Sequence, residues 1–196
     1  MGKKILKEVK DIIIFAVIVV VSVVVIQSYA LASTKVQQHS METTLMENDF
    51  LFAEKISYIF TDPEVGDIIV FLQERPDGFW GNPIGICIED TLGKFKRDDP
   101  RMRYVKRVIG LSGDKVDIKD GKVFVNGEQL EESYTKGMTD ARNIKFPLVV
   151  PEGQLFVLGD NREYSCDSRN FGCIDKDNIE GKVVFRLWPL NKMRAF

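Results

Sequence analysis

Histidine is almost missing from this chain: the 196 residues hold one, His39, and it adjoins Ser40. Neighbours on extended chain point to opposite sides, so a Ser-His-Asp triad built from this pair is implausible. Cysteine is scarce too, with Cys87, Cys166 and Cys173 the only three. None stands in a C-x-x-C spacing, so a zinc site from them and His39 is disfavoured. There is no G-x-x-x-x-G-K-[ST] phosphate loop and no H-E-x-x-H, and neither metal nor nucleotide cofactor is expected. A charge excess is lacking as well. Lys and Arg number 27 against 29 Asp and Glu, for a formal net charge of −2. That balance gives no general pull toward nucleic acid, and no nucleic-acid partner is expected. No internal repeat, low-complexity tract or long amphipathic helix follows residue 32.

What is present is a folded composition, 44% hydrophobic and 29% charged, with a sharp asymmetry at its start. Lys3, Lys4, Lys7 and Lys10 precede a nearly unbroken apolar run from Ile12 to Ile26. The strict run is shorter than the roughly 20 residues that span a bilayer, but extended through Tyr29 and Leu31 it is long enough. The lysines lie before it, so the positive-inside rule puts residues 1–10 in the cytoplasm, a transmembrane helix over 11–32, and 33–196 outside. A cleavable secretory signal is the alternative, with Ala30-Leu31-Ala32 as its A-x-A site. Either reading exports the rest of the chain. Export permits a disulfide, with Cys166 and Cys173 the nearest pair; three reduced thiols are equally compatible with the sequence.

Beyond residue 33 the pattern is that of a mostly β domain: a twisted antiparallel sheet with a small β lobe inserted at about 111–154. Strands are expected over Asp49–Lys55, Asp67–Leu72, Arg101–Ile109, Leu155–Leu158 and Lys182–Trp188. Val116–Ile118 and Lys122–Val125 flank Asp120-Gly121, a hairpin signal, and Asn126-Gly127 marks a further turn. Residues 74–100 read as a long irregular segment, unusually apolar at Phe79 and Trp80.

A serine nucleophile without histidine needs another base, and lysine is the usual substitute. It must be neutral, which burial among apolar groups achieves. In the strand Arg101–Ile109, alternation puts Met102, Tyr104, Lys106 and Val108 on one face, with Lys106 its only charge. Periodicity alone favours a strand-end lysine that snorkels to water.

The chain resembles the type I signal peptidases, in their single-anchor Gram-positive form, over nearly its whole length. An N-terminal anchor precedes His39-Ser40-Met41-Glu42-Thr43-Thr44-Leu45, which looks like the family's S-M-x-P-T-L box. Gly66-Asp67-Ile68-Ile69-Val70-Phe71 resembles its G-D-I-V-V-F strand, and Tyr104–Gly110 its lysine box. Gly159–Arg169 looks like its G-D-N-R-x-x-S-x-D-S-R box. Thr43 departs from the usual proline, which should loosen the turn slightly. Gln38 departs from the serine or glycine often found two before the nucleophile.

The resemblance implies a membrane-bound serine endopeptidase that removes signal peptides from exported preproteins after A-x-A sites, through an acyl-enzyme. It makes Ser40 the nucleophile, Lys106 the base and Ser165 the group that orients the lysine. The oxyanion would rest on the Ser40 N–H, with Gln38 a candidate second donor. Met41, Arg103, Tyr104 and Val105 would line the substrate, which would add as a strand. Asp160, Asn161, Asp167 and Arg169 would brace the site, the last two as an ion pair. The implied partners are signal peptides and the lipid bilayer. A tether of about eight residues from Ala32, at most about 28 Å, would keep Ser40 near the membrane. A soluble self-cleaving Ser-Lys peptidase is disfavoured by the apolar N-terminus. An inactive anchored binding protein is disfavoured by the intact Ser40, Lys106 and Ser165.

Overall fold

A computed structural model describes residues 2–29, 31–73 and 103–196. The irregular segment at 74–100 with Phe79, Trp80 and Cys87, the strand start at Arg101 and Met102, and Ala30 of the A-x-A triplet lie outside the described residues.

Helix α1 runs Gly2–Tyr29, and its side chains from residue 4 to residue 23 are exposed. Val and Ile tolerate helix poorly in water because they lose χ1 freedom. Their exposure from residue 4 to residue 23 is unusual for a soluble domain. Among the described residues no helix is long and apolar enough to cross a membrane. The helix also ends sooner than the sequence suggests. Leu31 and Ala32, expected inside the anchor, begin strand β1, Leu31–Lys35. The reason is a partner: β1 pairs antiparallel with β2, Phe50–Glu54, from Leu31↔Glu54 to Lys35↔Phe50. The first part of the expected tether before Ser40, through Lys35, is therefore strand.

After β2 come a one-turn helix α2, Ser57–Phe60, then β3, Ile68–Leu72, and β4, Arg103–Gly110. The hairpin read from Asp120-Gly121 is β5, Lys115–Lys119, with β6, Lys122–Val125. Asp120 and Gly121 both take the left-handed conformation, at φ 50° and 75°, that such a tight turn requires. The short strands β7, Glu128–Gln129, and β8, Leu148–Val149, complete a four-stranded sheet in the order β7-β6-β5-β8. The chain then returns through β9, Gln154–Leu158, helix α3, Ser168–Phe171, β10, Ile174–Asp175, β11, Ile179–Trp188, and β12, Arg194–Ala195.

The larger sheet is antiparallel, ordered β1-β2-β11-β3-β4-β9-β10, with β12 paired to β11. Strand β11 is its pivot: β2 runs along one edge, while β3 and then β12 share the other. Every residue of β3 is buried, so its run of five apolar residues faces core on both sides. Period-two alternation divides it. Ile68 and Val70 pack with Val36, Met41, Leu45, Leu51, Ala53 and Val183. Ile69 and Phe71 pack with Tyr104, Val108, Leu155, Val157, Ile174 and Ile179. A third cluster joins the two sheets, with Ile109, Phe156 and Leu158 meeting Val116, Val123 and Val150.

No disulfide joins Cys166 to Cys173; both are free thiols. Helix α3 and its capping turn lie between them. Cys166 is left exposed, whereas Cys173 packs against the third cluster, where burial pushes its thiol up to about 11.

Candidate active site

The pairing of β3 with β4 sets the position of Lys106, opposite Ile69. Its side chain is 1% exposed. The Nζ lies 2.8 Å from Ser40 Oγ and 2.9 Å from the Val105 carbonyl, with the Tyr104 ring centroid at 5.5 Å. Burial depresses this amine from its ordinary 10.5 to about 8, against the opposing pull of Asp167, Cys166 and Asp160. Desolvation wins because the carboxylates are already committed to arginines.

Strand alternation explains why the Val105 carbonyl is available. The N–H and C=O of Val108 both bond toward β3, to Asp67 and Gly66. Backbone groups of Arg103 and Val105 therefore face the opposite edge. There β9 pairs only from Arg107 onward. Among the described residues no strand covers β4 from Arg103 to Lys106 on that side.

Ser40 sits in a short 3-10 helix, His39–Met41, entered from an extended Gln38. Met41 and Leu45 are buried in the first core cluster and fix this turn from beneath. From the other side Asn161 holds it: its N–H donates to the Ser40 carbonyl at 3.0 Å and its Nδ2 to the His39 carbonyl at 3.1 Å. The Ser40 N–H falls in the first helical turn, where the helix itself supplies no acceptor. Gln38 is exposed, and its side chain makes no hydrogen bond among the described residues.

The segment 159–169 carries the bracing. Asp160 forms a two-toothed pair with Arg107, at 2.9 and 2.7 Å, and accepts Thr44 Oγ1 as well. Arg107 reaches the Gly66 carbonyl too, and stacks on Tyr134. Asp167 caps α3 and pairs with Arg169 through two bonds of 2.9 Å. Burial alone would raise the Asp167 carboxyl; the Arg169 guanidinium and the Gly159 N–H hold it below its usual range instead. Arg162 is fully buried and pairs with Glu132 from the loop after β7.

The structure treats the remaining residues differently from expectation. Ser165 is buried, and its hydroxyl helps to hold the Asp167 carboxyl low; among the described residues its Oγ has no partner at full hydrogen-bond geometry, and the expected bond to Lys106 is not formed. The lysine amine turns instead to Ser40 and Val105, on the edge of β4 that no described strand covers. Tyr104 does not face a substrate edge. Its ring stacks on Phe71 at 5.7 Å and meets Phe171 edge to face at 5.9 Å, and its backbone pairs with β3. Arg103 pairs with Glu180 at 2.7 Å. Sequence reasoning passed over Arg107, Glu132 and Arg142, all of which bond to the 159–169 segment. Arg107 alone had a visible signal, lying beside Lys106 on the strand's second face.

Residues 9–188 match the family described as signal peptidase, peptidase S26. The chain is 31% identical over 204 residues to signal peptidase IB of Staphylococcus aureus, covering 96% of this chain and 94% of that protein. It is 37% identical over 180 residues to thylakoidal processing peptidase 1 of Arabidopsis thaliana, covering 88% of this chain but spanning only 47% of that longer protein. A solved signal peptidase I from Enterococcus faecalis is 28% identical, with a TM-score of 0.42, covering 62% of this chain and 97% of that one. The chain belongs to the signal peptidases of family S26, serine endopeptidases that remove signal peptides.

Proposed function

We propose that Ser40 and Lys106 perform this cleavage as a nucleophile–base dyad. The observation that carries it is the 2.8 Å contact between a buried lysine amine and the hydroxyl of Ser40. Neutral Lys106 accepts the Ser40 proton as Oγ attacks the scissile carbonyl, and returns it to the leaving amine. The acyl group stays on Ser40 as an ester until a water, deprotonated by Lys106, releases it. A neutral amine has two N–H groups and one lone pair. The lone pair takes the Ser40 proton and one N–H serves Val105. The other N–H is left for Ser165, whose buried oxygen can accept it while the hydroxyl proton faces the Asp167 carboxylate. Asp160, Asn161, Asp167 and Arg169 hold the two loops in register.

The substrate adds as a strand along the edge of β4 that no described strand covers, beside Arg103 and Val105, with Met41 beneath its small side chains. This places alanine-sized groups at the first and third positions before the cut. The Ser40 N–H binds the oxyanion first, and the Gln38 amide swings in as the second donor. Helix α1 with its flank acts as a single membrane anchor, its lysine-rich end cytoplasmic and the β domain extracytoplasmic. That brings the site to the lipid bilayer, where signal peptides end. Cleavage of the chain's own Ala30-Leu31-Ala32 would need β1 to leave β2, since Leu31 and Ala32 pair with Glu54 and Ala53.

The test is cleavage of an Ala-x-Ala preprotein by the detergent-solubilised chain, with the product N-terminus read by mass spectrometry. A single cut after the second alanine is expected. Leucine at that position should stop it. In the same assay Gln38→Ala should lower kcat by about 100-fold, the usual cost of one oxyanion donor. A normal rate for Gln38→Ala would remove that residue from the oxyanion site, and cutting without regard to the alanines would sink the specificity reading.

A further inference from the structure

We propose that Arg142 is a positioning residue for the active site, holding Ser165 in place through its main chain. The inference rests on the Ser165 role proposed above. Arg142 lies far in sequence from Ser40, Lys106 and Ser165, on the loop between β7 and β8. A guanidinium has five N–H donors in a fixed fork, and here both ends of the fork grip the catalytic loop. Nη1 donates to the Ser165 carbonyl at 2.5 Å and to Asn170 Oδ1 at 3.2 Å. Nη2 donates to the carbonyls of Arg162 at 3.0 Å and Glu163 at 2.8 Å. Nε points to Asp140 at 3.3 Å. One side chain thus ties the front of the loop to Asn170 in α3.

Two further observations say that this arrangement matters to Ser165. First, Ser165 stands between Tyr164 and Cys166, both exposed. Its neighbours in sequence therefore offer no packing to fix it. Second, its hydroxyl lies so close over Gly159 that a Cβ there would meet both Ser165 and the Ser40 carbonyl. A small shift of the Ser165 backbone moves that hydroxyl relative to Lys106. The backbone of Arg142 itself is at φ 46°, in the left-handed region that bulky residues avoid. Such a conformation persists only where surrounding contacts over-determine it, and the fork supplies those contacts.

The test compares Arg142→Gly, Arg142→Lys, Ser165→Ala and the Arg142→Gly/Ser165→Ala pair in the full-length solubilised chain, on an Ala-x-Ala preprotein. Glycine takes the left-handed backbone freely, so Arg142→Gly removes the fork without straining the loop. Its kcat should fall about 30- to 100-fold with KM within about threefold, the signature of misplacement rather than lost binding. Guanidinium ion at about 20 mM, far below its denaturing range, should restore part of that rate. The paired variant should be no slower than Ser165→Ala alone, because both act through one hydroxyl. Should Arg142→Gly fail to fold, Arg142→Lys carries the same kcat-against-KM comparison, since lysine keeps the charge and loses the fork. A wild-type kcat for the folded Arg142 variants beside a slow Ser165→Ala overturns the inference, and so does a paired variant slowed by the product of the two single losses. A wild-type rate for Ser165→Ala overturns the role of Ser165 itself.

Discussion

Replacing Lys106 by methionine should abolish cleavage and make the protein more stable at pH 7. The loss of rate should be about 10⁴-fold or more, as for other members of a nucleophile–base unit. The gain in stability follows from the cost of burying an amine. In the folded chain Lys106 is driven from 10.5 down to about 8 by burial. The unfolded chain binds its proton more readily, so between about pH 8 and 10.5 the unfolded state carries more protons than the native one. Stability therefore rises with pH across that window, and the full penalty applies below it. A shift of this size corresponds to about 3 kcal/mol, from which the lost contacts to Ser40 and Val105 subtract. Methionine has nearly the same length and no charge, so it fills the site without a cavity. Chemical denaturation at pH 7 and pH 10 reads the effect. Lys106→Met should be the more stable at pH 7, and the difference should shrink at pH 10. The wild-type kcat/KM should fall about tenfold per unit below pH 8, where the base is protonated. A Lys106→Met protein that still cleaves, or that is less stable at pH 7 than wild type, would sink the dyad as drawn.

The same residue shows how far a sequence can be read. Alternation along β4 placed Tyr104, Lys106 and Val108 on one apolar face, and they are buried together or beside one another. Periodicity carries that much because it is local. It could not say that the amine would turn over the strand edge to Ser40, since that depends on where β9 stops pairing. Strand positions were legible for the same reason, in β2, β3, β5, β6 and β9. Strand β1 was not, because an apolar stretch that continues a helix gives no sign of where it will find a partner. The braces of the site were the least legible. Glu132 and Arg142 come from a polar loop without periodicity, and only the return of the chain through β9 brings Arg162 and Ser165 to them. Gln38 and Thr43 were visible departures, but their consequences depend on loop geometry rather than residue type.

Gly159→Ala should be the most damaging small substitution in the chain outside the dyad. The residue follows β9, and both its backbone groups are engaged: its N–H donates to Asp167 Oδ2 at 3.0 Å and its carbonyl accepts Arg162 Nε at 2.9 Å. It cannot move away without breaking buried charge-assisted bonds. A Cβ added there would stand 2.5 Å from the Ser40 carbonyl oxygen and 2.6 Å from Ser165 Cβ, and closer still to Ser165 Oγ. Neither neighbour is the loose end of a flexible side chain. The Ser40 carbonyl is held by the Asn161 N–H, and the Ser165 carbonyl by Arg142. The extra methyl must therefore drive the nucleophile's loop and the Ser165 loop apart. Overpacking of this kind costs about 1–3 kcal/mol of stability. The rate should suffer more, by about 10³-fold, because the nucleophile and the proposed lysine-orienting Ser165 are displaced at once and a shift near 1 Å alone costs about 100-fold. Thermal unfolding beside preprotein cleavage separates the two effects. A folded Gly159→Ala enzyme working within tenfold of wild type would mean that Ser165 can leave its place without consequence, and the close fit around Gly159 would then serve packing alone.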